Sequence, residues 1–227
     1  MPILQQLPYC PEECADADKV EILWEPALSV SRKRRSSEEE LKRANAEQWQ
    51  KARADTADQQ LWTDGGVKHL PGGFHYSGAA AVLYMRPHDP QAQPVVLQKA
   101  GGPEACSFTV EDSALFMGLS ELESIHPDQR KGRCLVGTDC QSDLRVLAKG
   151  PLSQTTTQGA RLWHLILKLI STGTMLTFAF FFSHLGIPGN EAADRAATEA
   201  ATRGRRGGRV GGKCSGRHEV EMEISQG

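Results

Sequence analysis

The chain has 227 residues, of which 39% are hydrophobic and 24% charged, enough for one domain of ordinary size with polar flanking segments. Its formal net charge of −2 excludes a polycation that binds nucleic acid through overall charge, so any affinity for phosphate must come from local basic patches. The longest apolar run, around Phe178 to Phe182, is far shorter than the roughly 20 residues of a membrane-spanning helix, which favours a buried strand over a membrane segment.

Residues 1–57 are predicted to form a leader of low order that contains one helix. Its basic cluster, Arg32 to Arg35, is interpreted either as a nuclear-targeting or nucleic-acid patch or as a solvated charge run. Either Ser36 with Glu39 or Ser37 with Glu40 has the spacing of a capping box that would start a helix. The stretch after them, up to Gln59, is rich in helix-forming residues with a thin apolar face, which predicts a partly exposed helix.

The six cysteines show no disulfide framework. Cys10 and Cys14 have the spacing of half a zinc site, but no second pair follows at a usable distance, so free thiols in a reducing compartment are the favoured interpretation. The N-terminus lacks a basic-then-apolar signal pattern. The predicted location is therefore nuclear or cytoplasmic, and not secreted.

The central segment, residues 58–202, is predicted to be the folded domain. A short strand from 61 that runs into a glycine turn at 64–66 is expected first, followed by strands at 77–86 and 94–99. A helix is then expected at 109–125, a strand at 134–139, a helix at 160–170, a strand at 175–182 and a helix at 190–202. Short early loops allow antiparallel pairing, whereas the later strand–helix–strand units require parallel pairing. The predicted fold class is α/β, a five-stranded mixed sheet of three antiparallel and then two parallel strands, with helices on both faces.

Residues 203–227 are predicted to be a disordered, Arg/Gly-rich tail, because glycine at this density cannot support a core. Such a tail either binds RNA loosely through its phosphates or is an untethered linker.

Four acidic residues fall at the ends of predicted elements. Asp64 lies on the first strand, Glu111 in the first turn of the first long helix, Asp139 at the end of a buried strand, and Asp194 in the first turns of the last helix. Ligands gather at such an edge in open α/β sheets. Phosphodiester hydrolysis by two Mg²⁺ ions needs converging carboxylates of this kind. Taken alone, each has a structural alternative: Asp139 could be a turn former or helix cap, and Glu111 a partner of the helix dipole.

Four blocks of sequence, in this order, resemble the signature blocks of type 1 ribonuclease H. They are LWTDGG at 61–66, FTVEDSAL at 108–115, VGTDCQS at 136–142 and SHLGIPGNEAAD at 183–194. The last block is the most specific, with His184 and Asp194 ten positions apart. The resemblance covers about residues 58–202 and is closest to the ribonuclease H domain of non-LTR, ingi-like retrotransposon polyproteins, where it is attached to a reverse transcriptase.

This resemblance implies a ribonuclease H-like fold that hydrolyses the RNA strand of RNA–DNA hybrids with two metal ions, Mg²⁺ or, as an alternative, Mn²⁺. The resemblance implies that four acids are the metal ligands, namely Asp64, Glu111, Asp139 and Asp194. Asp64 would bridge the two ions. His184 would complete the catalytic set by assisting protonation of the leaving group or product release. The residues that it assigns to substrate binding are Gly65, Gly66, Gln141 and Asn190. RNA would be selected through 2′-hydroxyl contacts and hybrid shape.

The chain departs from the family pattern at several positions. Gly66 stands where a small hydroxyl residue or alanine is frequent, and Cys140 where serine is usual. Residues 107–110 lack the asparagines that some members use on substrate, and the turn from Val67 to Tyr76 is long. None of these differences removes a metal ligand, so they lower the expected affinity for substrate and leave the catalytic set intact.

The sequence contains no reverse transcriptase, endonuclease or complete zinc finger. The chain is therefore expected to be a detached piece of an element-encoded polyprotein, or a host gene derived from one, with a reverse transcriptase of the parent element as a partner besides the hybrid. Two other functions stay open. One is a catalytically inactive remnant that only binds nucleic acid, and the other is a nuclease or transferase of the same fold that acts on DNA.

Overall fold

The computed structural model describes residues 13–26, 28, 36–69, 75–101 and 106–207. Cys10, one of the two cysteines with the spacing of half a zinc site, lies outside these ranges, as do the basic cluster Arg32 to Arg35 and the tail after residue 207. Within them, no helix combines the length and apolar character that crossing a membrane requires. The described cysteines form no disulfide with one another.

A mixed sheet of six strands forms the centre of the described fold. The strands are β1 (Glu21–Leu23), β2 (Gln59–His69), β3 (His75–Tyr84), β4 (Val95–Gly101), β5 (Gly132–Thr138) and β6 (Thr174–Phe180). Their spatial order is β1-β6-β5-β2-β3-β4. The pairs β2–β3 and β3–β4 are antiparallel, whereas β2–β5, β5–β6 and β1–β6 are parallel. The predicted mixed α/β class is confirmed, and the predicted strand number was one too few because β1 adds an edge strand.

Helices cover both faces of this sheet. They are α1 (Glu38–Lys51), α2 (Ser107–Ser124), α3 (Pro127–Arg130), α4 (Gln141–Leu147), α5 (Thr157–Ser171) and α6 (Pro188–Gly207). Sheet residues that pack with α2, α4 and α5 are Leu61, Leu83, Val136 and Phe178. Their chain neighbours on the other face, which pack with α6, are Trp62, Val82, Leu135 and Ala179. The alternation follows from the two-residue period of a strand.

Several predicted boundaries differ from the observed ones. The ladder between β2 and β3 continues to the pair His69 and His75, so much of the long turn expected from Val67 to Tyr76 is strand. Helix α6 ends at Gly207, so it includes the first residues that were assigned to the tail.

The helix predicted in the leader is present as α1. Its capping box is formed as expected: Glu40 N donates to Ser37 Oγ at 3.2 Å, and Ser37 N donates to Glu40 Oε2 at 2.8 Å. The helix ends at Lys51, before a residue with left-handed backbone, Arg53 (φ 50°). Leu41 is buried in the same core cluster as α2 and α5, so part of the segment before residue 58 packs on the domain. The domain limits themselves stay a prediction.

Gly78 of β3 lies where α6 crosses the sheet. A Cβ at this position would overlap with backbone atoms of Ala197 and Ala201. Because backbone cannot rotate aside, a larger residue here must push the helix off the sheet.

We therefore expect Gly78→Ala to lower the free energy of unfolding by about 1–3 kcal/mol through overpacking. Gly66→Ala is the matched control, since it is another glycine of the same hairpin with no atom within 4 Å of an added Cβ. Urea unfolding of both variants measures the difference. Equal stability of the two would contradict the close contact between α6 and β3.

Candidate metal centre

Asp64 and Asp139 lie side by side because their strands are parallel neighbours. The last paired residues of β2 and β5 are Thr63 and Thr138, and each acid is the next residue of its chain segment. Asp64 is buried, whereas Asp139 is partly exposed. The structure therefore places these two carboxylates at the carboxyl edge of the parallel strands, as the sequence predicts.

Glu111 reaches the same edge from α2, which crosses directly over Gly65. A Cβ on Gly65 would overlap with the backbone of Val110 and Glu111, so the absence of a side chain lets helix and strand meet. Since α2 begins at Ser107, Glu111 is in the second helical turn and not in the first, where it was predicted. The helix dipole acts mainly on the first turn and does not account for a buried carboxylate here.

These three acids form one cluster. One carboxylate oxygen each of Asp64, Glu111 and Asp139 lies within 4.8 Å of the others. Burial, reinforced by the charge of Asp139, raises the pKa of Asp64 to about 7 and that of Glu111 to about 10. A hydrogen bond from the Gly65 amide opposes both shifts. In the absence of a cation the cluster therefore retains protons at neutral pH.

Asp194 belongs to a second, adjoining group with His184 and Glu191, whose candidate ligand atoms also lie within 4.8 Å of one another. His184 Nδ1 is 3.8 Å from Asp194 Oδ2, and the imidazole is exposed. The charge of Asp194 contributes to the raised pKa of Asp64, so the two groups interact electrostatically. Of the four predicted ligands, the structure brings three into one cluster and the fourth into its neighbour.

The four residues predicted to bind substrate differ in accessibility. Gly66 has open space around its Cα, whereas Gly65 is covered by α2. The Gln141 side chain is partly exposed, and its Nε2 donates to the Trp24 carbonyl oxygen at 2.9 Å. Asn190 is only 4% exposed. Gly66 and Gln141 thus lie at the surface beside the acids, and the substrate-binding role of all four residues stays a prediction.

Two acidic residues near the cluster had no assigned role in the sequence analysis. Asp143 of α4 is 4% exposed, its Oδ1 has no hydrogen-bond partner, and its charge adds to the raised pKa of Glu111. Burial, together with the charge of Asp112, raises the pKa of Asp143 to about 7. Glu191 lies inside the block SHLGIPGNEAAD, so the sequence could have indicated it. Asp143 is a single Asp in the first turn of a helix, a position that the helix dipole alone explains, so the sequence gives no signal for it.

Cys140 is the residue directly before α4, and it lies beside these carboxylates. Its thiol lies 3.1 Å from Ser142 Oγ, and burial with the charge of Asp143 raises its pKa to about 12. The thiol is therefore neutral at physiological pH, and a nucleophilic role for this cysteine is not supported.

The donor atoms fit a hard divalent cation. The cluster of three acids offers only carboxylate oxygens, which Mg²⁺ and Mn²⁺ prefer. Glu111 Oε2 is buried without a hydrogen-bond partner, and a buried polar atom of this kind requires a compensating interaction. A bound cation would supply that interaction and would offset the burial and the repulsion that raise the pKa of Asp64 and of Glu111.

No family model and no curated protein matches this chain. Similar solved structures include the N-terminal RNase H domain of a Mycobacterium tuberculosis protein, with 18% identity over 67% of this chain and 99% of that chain and a TM-score of 0.47. The foamy viral protease-reverse transcriptase in complex with dsDNA has 16% identity over 65% of this chain and 96% of that chain, with a TM-score of 0.47. LC11-RNase H1, isolated from compost, has 19% identity over 65% and 98%, with a TM-score of 0.48. With identities and TM-scores this low, function has to be inferred from the side chains of the chain itself.

The raised pKa of Glu111 leads to a prediction about stability. In metal-free protein the folded state holds a proton that the unfolded chain releases, so stability falls as pH rises from the unfolded pKa near 4 towards about 10. Glu111→Gln removes this loss, and we expect it to raise the free energy of unfolding by on the order of 1–3 kcal/mol at about pH 8 and by less at about pH 5.

Urea unfolding in the presence of a chelator measures this effect. Asp128→Asn is the control, because Asp128 is an exposed carboxylate that pairs with Lys131 at 2.6 Å and whose pKa is lowered by that partner. It should give no gain at either pH. A wild type that is more stable than Glu111→Gln at the higher pH would argue against repulsion within the cluster.

Proposed function

We propose that this chain is a ribonuclease H-type nuclease that hydrolyses the RNA strand of RNA–DNA hybrids with divalent metal ions. The observation that carries the proposal is the convergence of Asp64, Glu111 and Asp139 from three separate segments, with Asp194 in the adjoining group. Each of these acids lies in one of the four sequence blocks that resemble type 1 ribonuclease H. Convergence of all four on one edge is difficult to explain by four independent caps or turns.

In this proposal the two groups have complementary tasks. Asp64, Glu111, Asp139 and Asp194 would hold two Mg²⁺ or Mn²⁺ ions, which when bound neutralise charge on the phosphate and activate water. Asp64, whose pKa is raised by burial and by the charges of both Asp139 and Asp194, would contribute to both groups. Glu111 and Asp139 would act as ligands with it, and Asp194 would be a ligand in the adjoining group.

His184 is suited to proton transfer. Its side chain is exposed on the loop between β6 and α6, and its Nδ1 faces Asp194 at 3.8 Å. This carboxylate can orient the ring, while Nε2 stays available to the leaving oxygen of the cleaved strand.

Substrate would lie across the open surface beside the acids. Gly66 carries no side chain that would keep a ribose from its backbone, and Gln141 lies two residues after Asp139 on the same edge. The amide of Gln141 can exchange hydrogen bonds with minor-groove atoms or a 2′-hydroxyl, which distinguishes RNA from DNA. Neither residue reads sequence in this proposal.

The origin and context of the chain are proposed from the sequence blocks alone. Their resemblance to ingi-like retrotransposon domains supports descent from such an element, with its reverse transcriptase as partner. A nuclear or cytoplasmic location agrees with this origin.

The activity is tested with a labelled RNA–DNA hybrid and Mg²⁺. Wild type should cut the RNA strand and leave duplex DNA intact, and Asp139→Asn should lower the rate by about 100-fold or more because the amide lacks the ligand charge. Asp128→Asn, an exposed acid on α3, is the matched control and should retain full activity. Absence of cleavage by folded wild type would favour a remnant that only binds nucleic acid, and cleavage of duplex DNA would favour a DNA nuclease of the same fold.

Metal binding is tested without substrate. Mg²⁺ should raise the melting temperature of wild type, with about 2.7 kcal/mol of stabilisation at 100 times the dissociation constant. Because the ion displaces protons from Asp64, the effect should grow as pH rises through about 7. Asp139→Asn should reduce the Mg²⁺-dependent shift, and an equal shift in both proteins would place the ion elsewhere.

A further inference from the structure

The loop from residue 183 to residue 187 carries His184 and has an unusual backbone. Two of its residues are left-handed, His184 at φ 59° and Gly186 at φ 83°. A non-glycine residue in this region costs on the order of 1 kcal/mol or more and persists only when its surroundings hold it. The side chains that provide this support come from two different helices.

The first support is Asn45 of α1, which holds the backbone just before the loop. Its Nδ2 donates to the Phe182 carbonyl oxygen at 2.9 Å, and its Oδ1 accepts from Phe182 N at 2.8 Å. The sheet-type contact on this stretch is made one residue earlier, where Phe181 N donates to Thr138 O at 2.9 Å. The Asn45 side chain is 5% exposed. Its amide group pairs with the backbone of Phe182, where the loop begins, in the way that the backbone of a neighbouring strand would.

The second support is Glu191 in the first turn of α6. Its Oε1 accepts a hydrogen bond from Gly186 N at 3.2 Å, at the second left-handed residue of the loop. The same carboxylate lies within 4.8 Å of the candidate ligand atoms of His184 and Asp194. Glu191 therefore ties the middle of the loop to the helix that carries Asp194.

We propose that Asn45 and Glu191 are positioning residues that hold the His184 loop at its start and at its middle, and so keep the imidazole beside Asp194. Asn45 belongs to the segment predicted to be a leader, so the candidate site depends on residues before position 58. The kinetic consequence rests on the proposed function, whereas the order of the loop does not.

Glu191 is tested by separating its hydrogen bond from its charge. Glu191→Ala should speed amide hydrogen exchange at Gly186 by about tenfold or more, since the acceptor is lost. It should lower kcat for hybrid cleavage by about tenfold with KM within about twofold, because the loop positions a proton donor and does not bind substrate. Glu191→Gln retains Oε1 and should restore slow exchange and most of kcat. Glu199→Ala, an exposed acid of the same helix paired with Arg203, should match wild type.

Asn45 is tested against Gln48, a buried amide one turn further along α1. Gln48 Nε2 donates to the Leu23 carbonyl oxygen at 2.6 Å and so holds β1 instead of the loop. Asn45→Ala and Gln48→Ala should both lower the urea midpoint, because each leaves buried backbone groups unpaired. At a temperature where both are folded, only Asn45→Ala should lower kcat and speed exchange at Phe182.

Two results would overturn the proposal: slow exchange at Gly186 that persists in Glu191→Ala, or equal kcat in Asn45→Ala and Gln48→Ala. If folded wild type cuts no hybrid, the proposed function fails by itself. The exchange rates at Phe182 and Gly186 then still decide whether the two side chains hold the loop.

Discussion

The carboxylate groups at one edge of the sheet repel one another, and the fold has to hold them together. Carboxylates repel each other, and burial makes their charged forms still less favourable, so such a group does not assemble by its own attraction. The scaffold imposes it instead. Parallel pairing of β2 and β5 sets Asp64 beside Asp139, and the close crossing of α2 over Gly65 brings Glu111 down between them. The energy for this comes from the apolar packing of both faces, and under the proposed function a bound cation would offset part of the cost.

Much of this arrangement could be read from the sequence because alternation and helical periodicity are local signals. The five strands of the central segment and the long helices follow from them, and the order of the elements predicts that the four acids meet at one edge of the sheet. Contacts that depend on close approach could not be read in this way. Spacing does not tell which of Gly65 and Gly66 lies under a helix, and it placed Glu111 one turn too early because α2 begins at Ser107.

The segment before residue 58 contains features that the sequence did not predict: strand β1 and the buried polar contacts of α1. Strand β1 has three residues and lies near several prolines, too short for a periodic pattern. Helix α1 buries amides as well as apolar side chains: Asn45 and Gln48 are nearly inaccessible, yet asparagine and glutamine are mostly exposed in proteins. Their amide groups donate to backbone carbonyl oxygens of Phe182 and Leu23. These partners are distant in the sequence, so no local pattern predicts the contacts. The thin apolar face correctly predicted a partly exposed helix, but it did not show that buried amides also hold this helix on the domain through hydrogen bonds.

The position of β1 beside β6 also affects how the protein behaves in solution. β6 is an apolar strand that leads into Phe181 and Phe182, and β1 pairs with its outer side through residues 21–23. A fragment that began at residue 58 would leave the backbone N–H and C=O groups on that side without partners. Open, hydrophobic strands of this kind are templates for edge-to-edge aggregation between copies. The short strand β1 thus covers the outer side of β6, a contribution separate from any chemistry at the acids.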